Sequence, residues 1–222
     1  KRPAITKLAR IWDRMAKGFS ESPIKDEAVY QKKLRITQNY FSERMEVLEF
    51  GCGTGGTAIA HAPYVKHILA TDFSHRMLEF ARESAELKGA KNISFELTSI
   101  EDLDNRASSF DVVLGMGVLH LLKDKRKGLS RVYDLLKDEG VFISSTPCLS
   151  NSSFQFKLRR VIAYFLGFGP LIRFFSTEKL EALMQQAGFV VELRWAPDLE
   201  SLNAVFLVAR KTTKYKLEKE HS

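Results

Sequence analysis

The 222 residues, 45% hydrophobic and 27% charged, suit one α/β domain with a sizeable core and exclude a disordered or fibrous chain. Cys52 and Cys148 make neither a disulfide framework nor a metal cluster, and with no long apolar leader the expectation is a protein of the reducing cytosol without a metal. The net charge of +7 sits at the edges: residues 1–17 hold six Lys/Arg against one acid, 151–177 hold four cations and no acid, and 210–222 hold five cations against two acids. Such edges suit an anionic membrane surface, nucleic acid, an anionic substrate or a plain solvated face.

Ile5, Leu8, Trp12, Met15 and Phe19 recur three and four apart and predict an amphipathic helix, with Lys7, Arg10, Arg14 and Lys17 largely off that face. Residues 20–23, Ser-Glu-Ser-Pro, break it. A second helix, starting near Pro23 or Asp26, carries Val29, Tyr30, Leu34, Ile36, Tyr40 and Phe41. Residues 46–56 then read Glu-Val-Leu-Glu-Phe-Gly-Cys-Gly-Thr-Gly-Gly, a short buried-type strand running into Gly51, Gly53, Gly55 and Gly56. Glycine lets a backbone turn tightly and lie against a ligand with no Cβ in the way, and residues 57–62 can open a helix, so the stretch makes a nucleotide cradle.

Residues 67–72 predict a second parallel strand with Asp72 at its carboxyl end, where open α/β sheets bind ligands and an aspartate can accept both vicinal ribose hydroxyls. Ser74 is free to cap the next helix, with Met77, Leu78, Ala81 and Ala85 facing the sheet and Gly89 as its stop. Residues 92–97 predict the third strand and 112–114 the fourth. Gly115-Met-Gly117 leaves room for a ligand at the fourth strand's carboxyl end, and His120 is the histidine on that side; Asp111, at the opposite edge, is structural. Asp124 caps a helix burying Leu129, Val132, Tyr133 and Leu136, Gly140 ends its turn, and residues 141–144 predict the fifth strand.

Residues 154–175 hold six of the sixteen phenylalanines, yet the uncharged run 161–172 falls short of the ~20 residues of a membrane span. A lid over an acceptor pocket, a membrane-surface element, and a buried hairpin or dimer contact all remain open. Ser176 caps a last helix with Leu180, Leu183, Met184 and Ala187 inward and Gly188 as its stop. Residues 189–195 and 203–209 predict two closing strands, and 211 onward a solvated tail.

Strands alternating with amphipathic helices predict a doubly wound, mostly parallel seven-stranded sheet in one domain, 1–222. Within it, 1–45 are N-terminal helices, 46–147 the cofactor-binding core, 148–177 a lid or acceptor insert, 178–210 the closing helix and antiparallel hairpin, and 211–222 the tail.

Two cofactors compete for the cradle. Gly51, Gly53 and Gly56 satisfy G-x-G-x-x-G, and Asp72 follows Gly51 by 21 residues, as in a dinucleotide site. Glu49 two positions before Gly51, the denser run Gly51-x-Gly53-x-Gly55 and the helical region before the strand instead resemble the class I S-adenosylmethionine-dependent methyltransferase family, whose first motif is an acid followed by G-x-G-x-G. The resemblance spans about residues 12–210. It implies S-adenosylmethionine as cofactor, with its methionine end at Glu49, Gly51, Cys52, Gly53, Thr54 and Gly55, its ribose at Asp72 and Phe73, its adenine at Ser99 and Ile100, and Gly115 beside its methionine end. Cys52 is otherwise a small loop residue. Where the family usually has an aspartate and a small apolar residue, this chain has Ser99 and Ile100, so Glu101 is an alternative adenine partner or a helix cap. The N-terminal helices of the family lie over the pocket, which makes Trp12 and Tyr30 pocket walls or ordinary core aromatics.

The resemblance also implies methyl transfer by in-line displacement to a small, apolar, aromatic or lipid-like acceptor, with His120 as a candidate base or as a packing residue. Cytoplasmic location, with peripheral contact to an anionic membrane, fits the cation-flanked insert. An NAD(P)-dependent oxidoreductase shares the glycine loop and Asp72, but no separate catalytic domain is visible. A nucleic-acid methyltransferase is disfavoured because no Asn/Asp-Pro-Pro-aromatic signature follows the fourth strand, and a protein that binds the cofactor without transfer is a further alternative.

Overall fold

The computed structural model describes residues 7–104, 106–148, 154–165, 175–197 and 204–212. Helices α1 (Lys7–Glu21) and α2 (Glu27–Gln38) precede β1 (Glu46–Phe50), α3 (Gly56–His61), β2 (His67–Asp72), α4 (His75–Leu87), β3 (Ile93–Leu97) and β4 (Phe110–Met116). Then come α5 (Lys125–Leu135), β5 (Leu136–Pro147), α6 (Phe154–Phe165), α7 (Thr177–Gln186), β6 (Phe189–Trp195) and β7 (Ala204–Lys211). Asp26, Ser74, Asp124 and Ser176 each cap the helix that follows by accepting a backbone N–H three residues on.

The sheet runs β3-β2-β1-β4-β5-β7-β6, with β1 to β5 mutually parallel and β7 antiparallel to both β5 and β6. A dinucleotide fold of the doubly wound type places a sixth parallel strand where this chain puts the β6–β7 hairpin. Strand alternation sorts side chains onto two faces. Leu48, Phe50, Val113 and Phe142 meet Leu129, Val132, Leu180 and Met184 on one, whereas Val47, Ile68, Val112, Ile143 and Phe206 meet Ala58 and Leu78 on the other.

Four sequence expectations are corrected. The sunken residues of α1 are Ala9, Ile11 and Ala16, while Phe19 is 49% exposed and only touches Trp12 edge-on, its ring centroid 5.4 Å away. The fifth strand is twelve residues long rather than four, because Leu136 already pairs with Phe110 and the ladder runs on to Pro147 against β7. Gly140 lies within that strand, where a Cβ would stand 2.8 Å from the Lys137 carbonyl. Lys211 is the last residue of β7 and not tail: it is buried, and its ammonium donates to the carbonyls of Tyr133 (2.9 Å) and Leu136 (2.7 Å). Asp111 is structural as expected, accepting from the Glu46 N–H and pairing with Lys137 at 2.8 Å.

Of the insert, α6 is described and leaves Leu158 and Ile162 exposed; residues 166–174 lie outside the described residues, as do 1–6 and 213–222. Among the described residues no helix is long and apolar enough to cross a membrane.

Candidate active site

The carboxyl end of β1 runs into a loop in which Gly51, Gly53 and Gly55 take φ of +64°, +55° and +78°, a region L side chains rarely enter. The three glycines serve different ends. A Cβ on Gly51 would stand 2.5 Å from Val118 Cγ2, and one on Gly55 3.0 Å from Ala81 Cβ, so these two let neighbouring elements close in. A Cβ on Gly53 would meet nothing within 4 Å, so this backbone borders open space. The loop is tied to β2 by the Cys52 N–H donating to the Thr71 carbonyl at 3.0 Å and turned by the Gly55 N–H donating to the Cys52 carbonyl at 3.0 Å. Cys52 is buried, and burial with the charges of Asp72 and Glu49 pushes its thiol up, away from thiolate chemistry. Thr54 is half-buried.

Asp72 ends β2 and holds the same loop: Oδ2 accepts from the Gly53 N–H at 3.0 Å and Oδ1 from the Ser74 N–H at 2.8 Å. Burial raises its carboxyl above the usual range, while the N–H groups of Ser74, Gly53 and Phe73 pull it back. Glu49, one residue from the end of β1, is 2% exposed, and its Oε2 has no hydrogen-bond partner among the described residues. Burial, and then the charge of Asp72, push its carboxyl up to about 8. An acid so placed is protonated at neutral pH unless a cation or donor arrives.

Helix α1 reaches this corner through Asp13, whose Oδ1 accepts from the Ser74 hydroxyl at 2.6 Å and from the Arg76 N–H at 3.1 Å. Helix α2 reaches it through Tyr30, which is hydrogen-bonded to Thr57 and lies close enough to feel the charge of Glu49. Further along α2, the Lys33 ammonium donates to the Ser145 hydroxyl on β5 at 2.9 Å. The indole N–H of Trp12 is buried with no hydrogen-bond partner among the described residues.

Other candidates fall less centrally. Phe73 is half-buried beside Asp72. Ser99 Oγ caps its own turn, accepting from the Asp102 N–H at 3.2 Å and donating to the Asp102 carboxylate at 2.8 Å; Ile100 is buried and Glu101 exposed. Gly115 does not leave room through its missing side chain, because a Cβ there would lie 2.8 Å from the Phe50 ring. The open position is Gly117, at φ +70° with nothing within 4 Å of a Cβ and its N–H held by the Ser145 carbonyl at 2.7 Å. His120 sits in the single 3₁₀ turn Leu119–Leu121 just beyond, half-buried. A cleft of about 630 Å³ lies between α2, α3 and the residues after α4, lined in part by Tyr30 and Gly56 and by none of these acids.

Asp13, Lys33 and Ser145 escaped the sequence reading. Asp13 had a weak signal, the one acid among the basic residues 1–17, whereas Lys33 and Ser145 stand 112 residues apart and meet only in the fold.

The residues fit S-adenosylmethionine. An orphaned buried carboxyl oxygen on Glu49 suits a cationic ligand, and Gly53 offers backbone against open space. Asp72 presents acceptor oxygens at the strand end where a ribose would lie.

Comparison with known proteins gives the same family. Residues 41–188 match the family model described as "Methyltransferase domain". The uncharacterized methyltransferase YcgJ of Bacillus subtilis is 35% identical over 97 residues, covering 44% of this chain and 38% of its own. A solved structure of the YcgJ protein superposes at a TM-score of 0.67 with 20% identity, over 82% of this chain and 99% of that one. A ubiquinone biosynthesis O-methyltransferase from Methylocella silvestris is 31% identical over 150 residues, covering 65% of this chain and 58% of its own. A tRNA/tmRNA (uracil-C(5))-methyltransferase from Campylobacter lari is 37% identical over 118 residues, covering 47% and 34%. The matched segments thus span from 34% to 58% of the length of these curated relatives. With the match to the family model covering well over half of its residues, the chain belongs to the methyltransferase-domain family, of the class I S-adenosylmethionine-dependent kind.

Proposed function

We propose that this protein transfers the methyl group of S-adenosylmethionine to a small molecule bound beyond the carboxyl ends of β4 and β5. The observation that carries this reading is the pairing of Glu49, buried and lacking a partner for Oε2, with the open backbone of Gly53 held by Asp72. When bound, the cofactor supplies an activated sulfonium methyl, so the chain's own residues have to bind, align and exclude water. The Gly51–Gly55 loop and Glu49 hold the methionine end. Asp72 keeps acceptor capacity for the ribose hydroxyls while fixing the loop, since each of its oxygens has a second lone pair. Ser99 and Ile100 flank the adenine, Phe73 lies beside the ribose, the backbone of Gly115 and Gly117 borders the transfer site, and α1 and α2 shield it.

His120 lies on the transfer side of β4 and is placed to take a proton if the methylated atom is oxygen or nitrogen. The alternative, a positioning role, is separated by His120→Ala kinetics across pH at saturating cofactor: a base loses about 10²–10⁴ in turnover, whereas a packing residue loses little. The aromatic insert 154–175 is assigned as a lid over an apolar or aromatic acceptor, with an anionic membrane surface as the docking plane for its exposed Leu158 and Ile162.

A second reading, an RNA acceptor, is favoured by the basic edges and by the tRNA/tmRNA methyltransferase among the relatives. Labelled S-adenosylmethionine incubated with cell extract, with and without ribonuclease, decides between them. Label that stays in the small-molecule fraction after ribonuclease supports the proposal; label found only in RNA overturns it.

A further inference from the structure

We infer that Lys33 selects the acceptor: the molecule to be methylated presents an anionic oxygen, a carboxylate or a phosphate, to the Lys33 ammonium at the carboxyl end of β5. The inference rests on the methyltransferase reading, which puts the acceptor beyond β4.

Tyr30, Lys33, Leu34 and Thr37 recur three and four apart and lie half-buried or buried on one face of α2, while Arg35 is exposed and Lys32, also exposed, lays its ammonium over the Trp195 ring, 4.3 Å from its centroid. Lys33 is therefore a cation on the inward face of its helix. Its hydroxyl partner, Ser145, pairs with Met116 of β4 on one side and Phe206 of β7 on the other, near the ends of strands where ligands bind in such sheets. Met116, Phe206 and Trp195 share one core cluster, which gives the neighbourhood an apolar floor.

An ammonium has three donors, and a neutral hydroxyl satisfies one of them. Among the described residues none of the ion pairs involves Lys33. Burial pulls its ammonium below the ordinary value, with only Asp26 opposing the shift. A part-buried cation with no carboxylate in direct contact is unfavourable alone and becomes favourable when a ligand brings the anion. The apolar floor then accommodates the body of the acceptor, and the ion pair fixes which end faces the cofactor.

The test uses benzoate, phenyl phosphate and neutral benzamide as probes, with saturating S-adenosylhomocysteine and binding read by ligand-observed NMR. Wild type should bind at least one of the two anions about tenfold more tightly than benzamide. The ratio of the two anions tells carboxylate from phosphate. Lys33→Gln should abolish the preference. Lys33→Arg, which keeps the cation but cannot serve as a base, should retain it.

Equal binding of benzamide and both anions to wild type, or an unchanged preference in Lys33→Gln, overturns the inference. Wild type also supplies a readout that needs no variant: the Lys33 ε-methylene resonance should move on titration with the preferred anion and stay in place with benzamide, and a resonance indifferent to both overturns the inference. Calorimetric binding of S-adenosylhomocysteine separates the two levels. If it fails in wild type, the methyltransferase reading falls; if it holds while the charge preference is absent, only Lys33 is wrong.

Discussion

Glu49 combines a motif position that the sequence shows with an ionisation state that only the fold reveals. Folding lifts its carboxyl from an ordinary 4.5 to about 8. Between those values the folded protein holds a proton the unfolded chain has released, so the stability of the ligand-free protein falls as pH rises through that window. Each pH unit costs about 1.4 kcal/mol, so Glu49→Gln should be more stable than wild type by roughly 2–4 kcal/mol at pH 8 and nearly equal to it at pH 4.5. Melting curves of both ligand-free proteins from pH 4.5 to 8.5 check this, and parallel pH profiles would contradict it. Glu49, the glycines and Asp72 were legible because their chemistry demands those residue types at fixed spacing. The difference between Gly115 and Gly117 was not, because it depends on the Phe50 ring filling the place of one Cβ and nothing filling that of the other.

At the scale of elements, Asp13 fastens α1 to the cofactor corner. Asp13 takes the Ser74 hydroxyl and the Arg76 N–H, while Ser74 also accepts from the Met77 N–H and its own N–H is held by Asp72. Asp13→Ala should release α1 from the start of α4, lowering stability by about 1–3 kcal/mol for two hydrogen bonds to a charged acceptor. Faster amide exchange in α1 with β1 and β4 unchanged is the expected result; unchanged exchange in α1 would show that its apolar contacts suffice.

Periodicity predicted both N-terminal helices but offset the buried face of α1: Leu8, Trp12 and Met15 are half-buried, Phe19 is exposed and Ala9, Ile11 and Ala16 sink deepest, because the seating of a helix depends on what it packs against, here α4, and not on its own stripe alone. The same limit shortened β5: Leu136 was assigned to a helix face, yet its pairing with Phe110 starts the strand there. Lys211 was given to the terminal tail; lysine is seldom buried, and two carbonyls from the α5–β5 junction make this one an exception.

For the molecule as a whole, strands and helices alternated clearly enough to predict the parallel sheet and its closing hairpin, and the sheet order bears this out. The proposed ligand position rests on the rule that such sheets bind at strand carboxyl ends. Acceptor choice did not follow, because it rests on helix-to-sheet contacts such as Lys33 with Ser145 and on an insert whose aromatic composition suits several roles.

The central claim, that the Gly51–Gly55 loop and Asp72 form an S-adenosylmethionine site, is tested most directly by titration calorimetry with S-adenosylhomocysteine. Wild type should bind one equivalent and show no binding of NAD(P). Asp72→Ala, which loses acceptors for the ribose and frees the Gly53 and Ser74 N–H groups, should bind S-adenosylhomocysteine about 10–150-fold more weakly, or about 1.5–3 kcal/mol. Tighter binding of NAD(P) than of S-adenosylhomocysteine, or full affinity in Asp72→Ala, would contradict it.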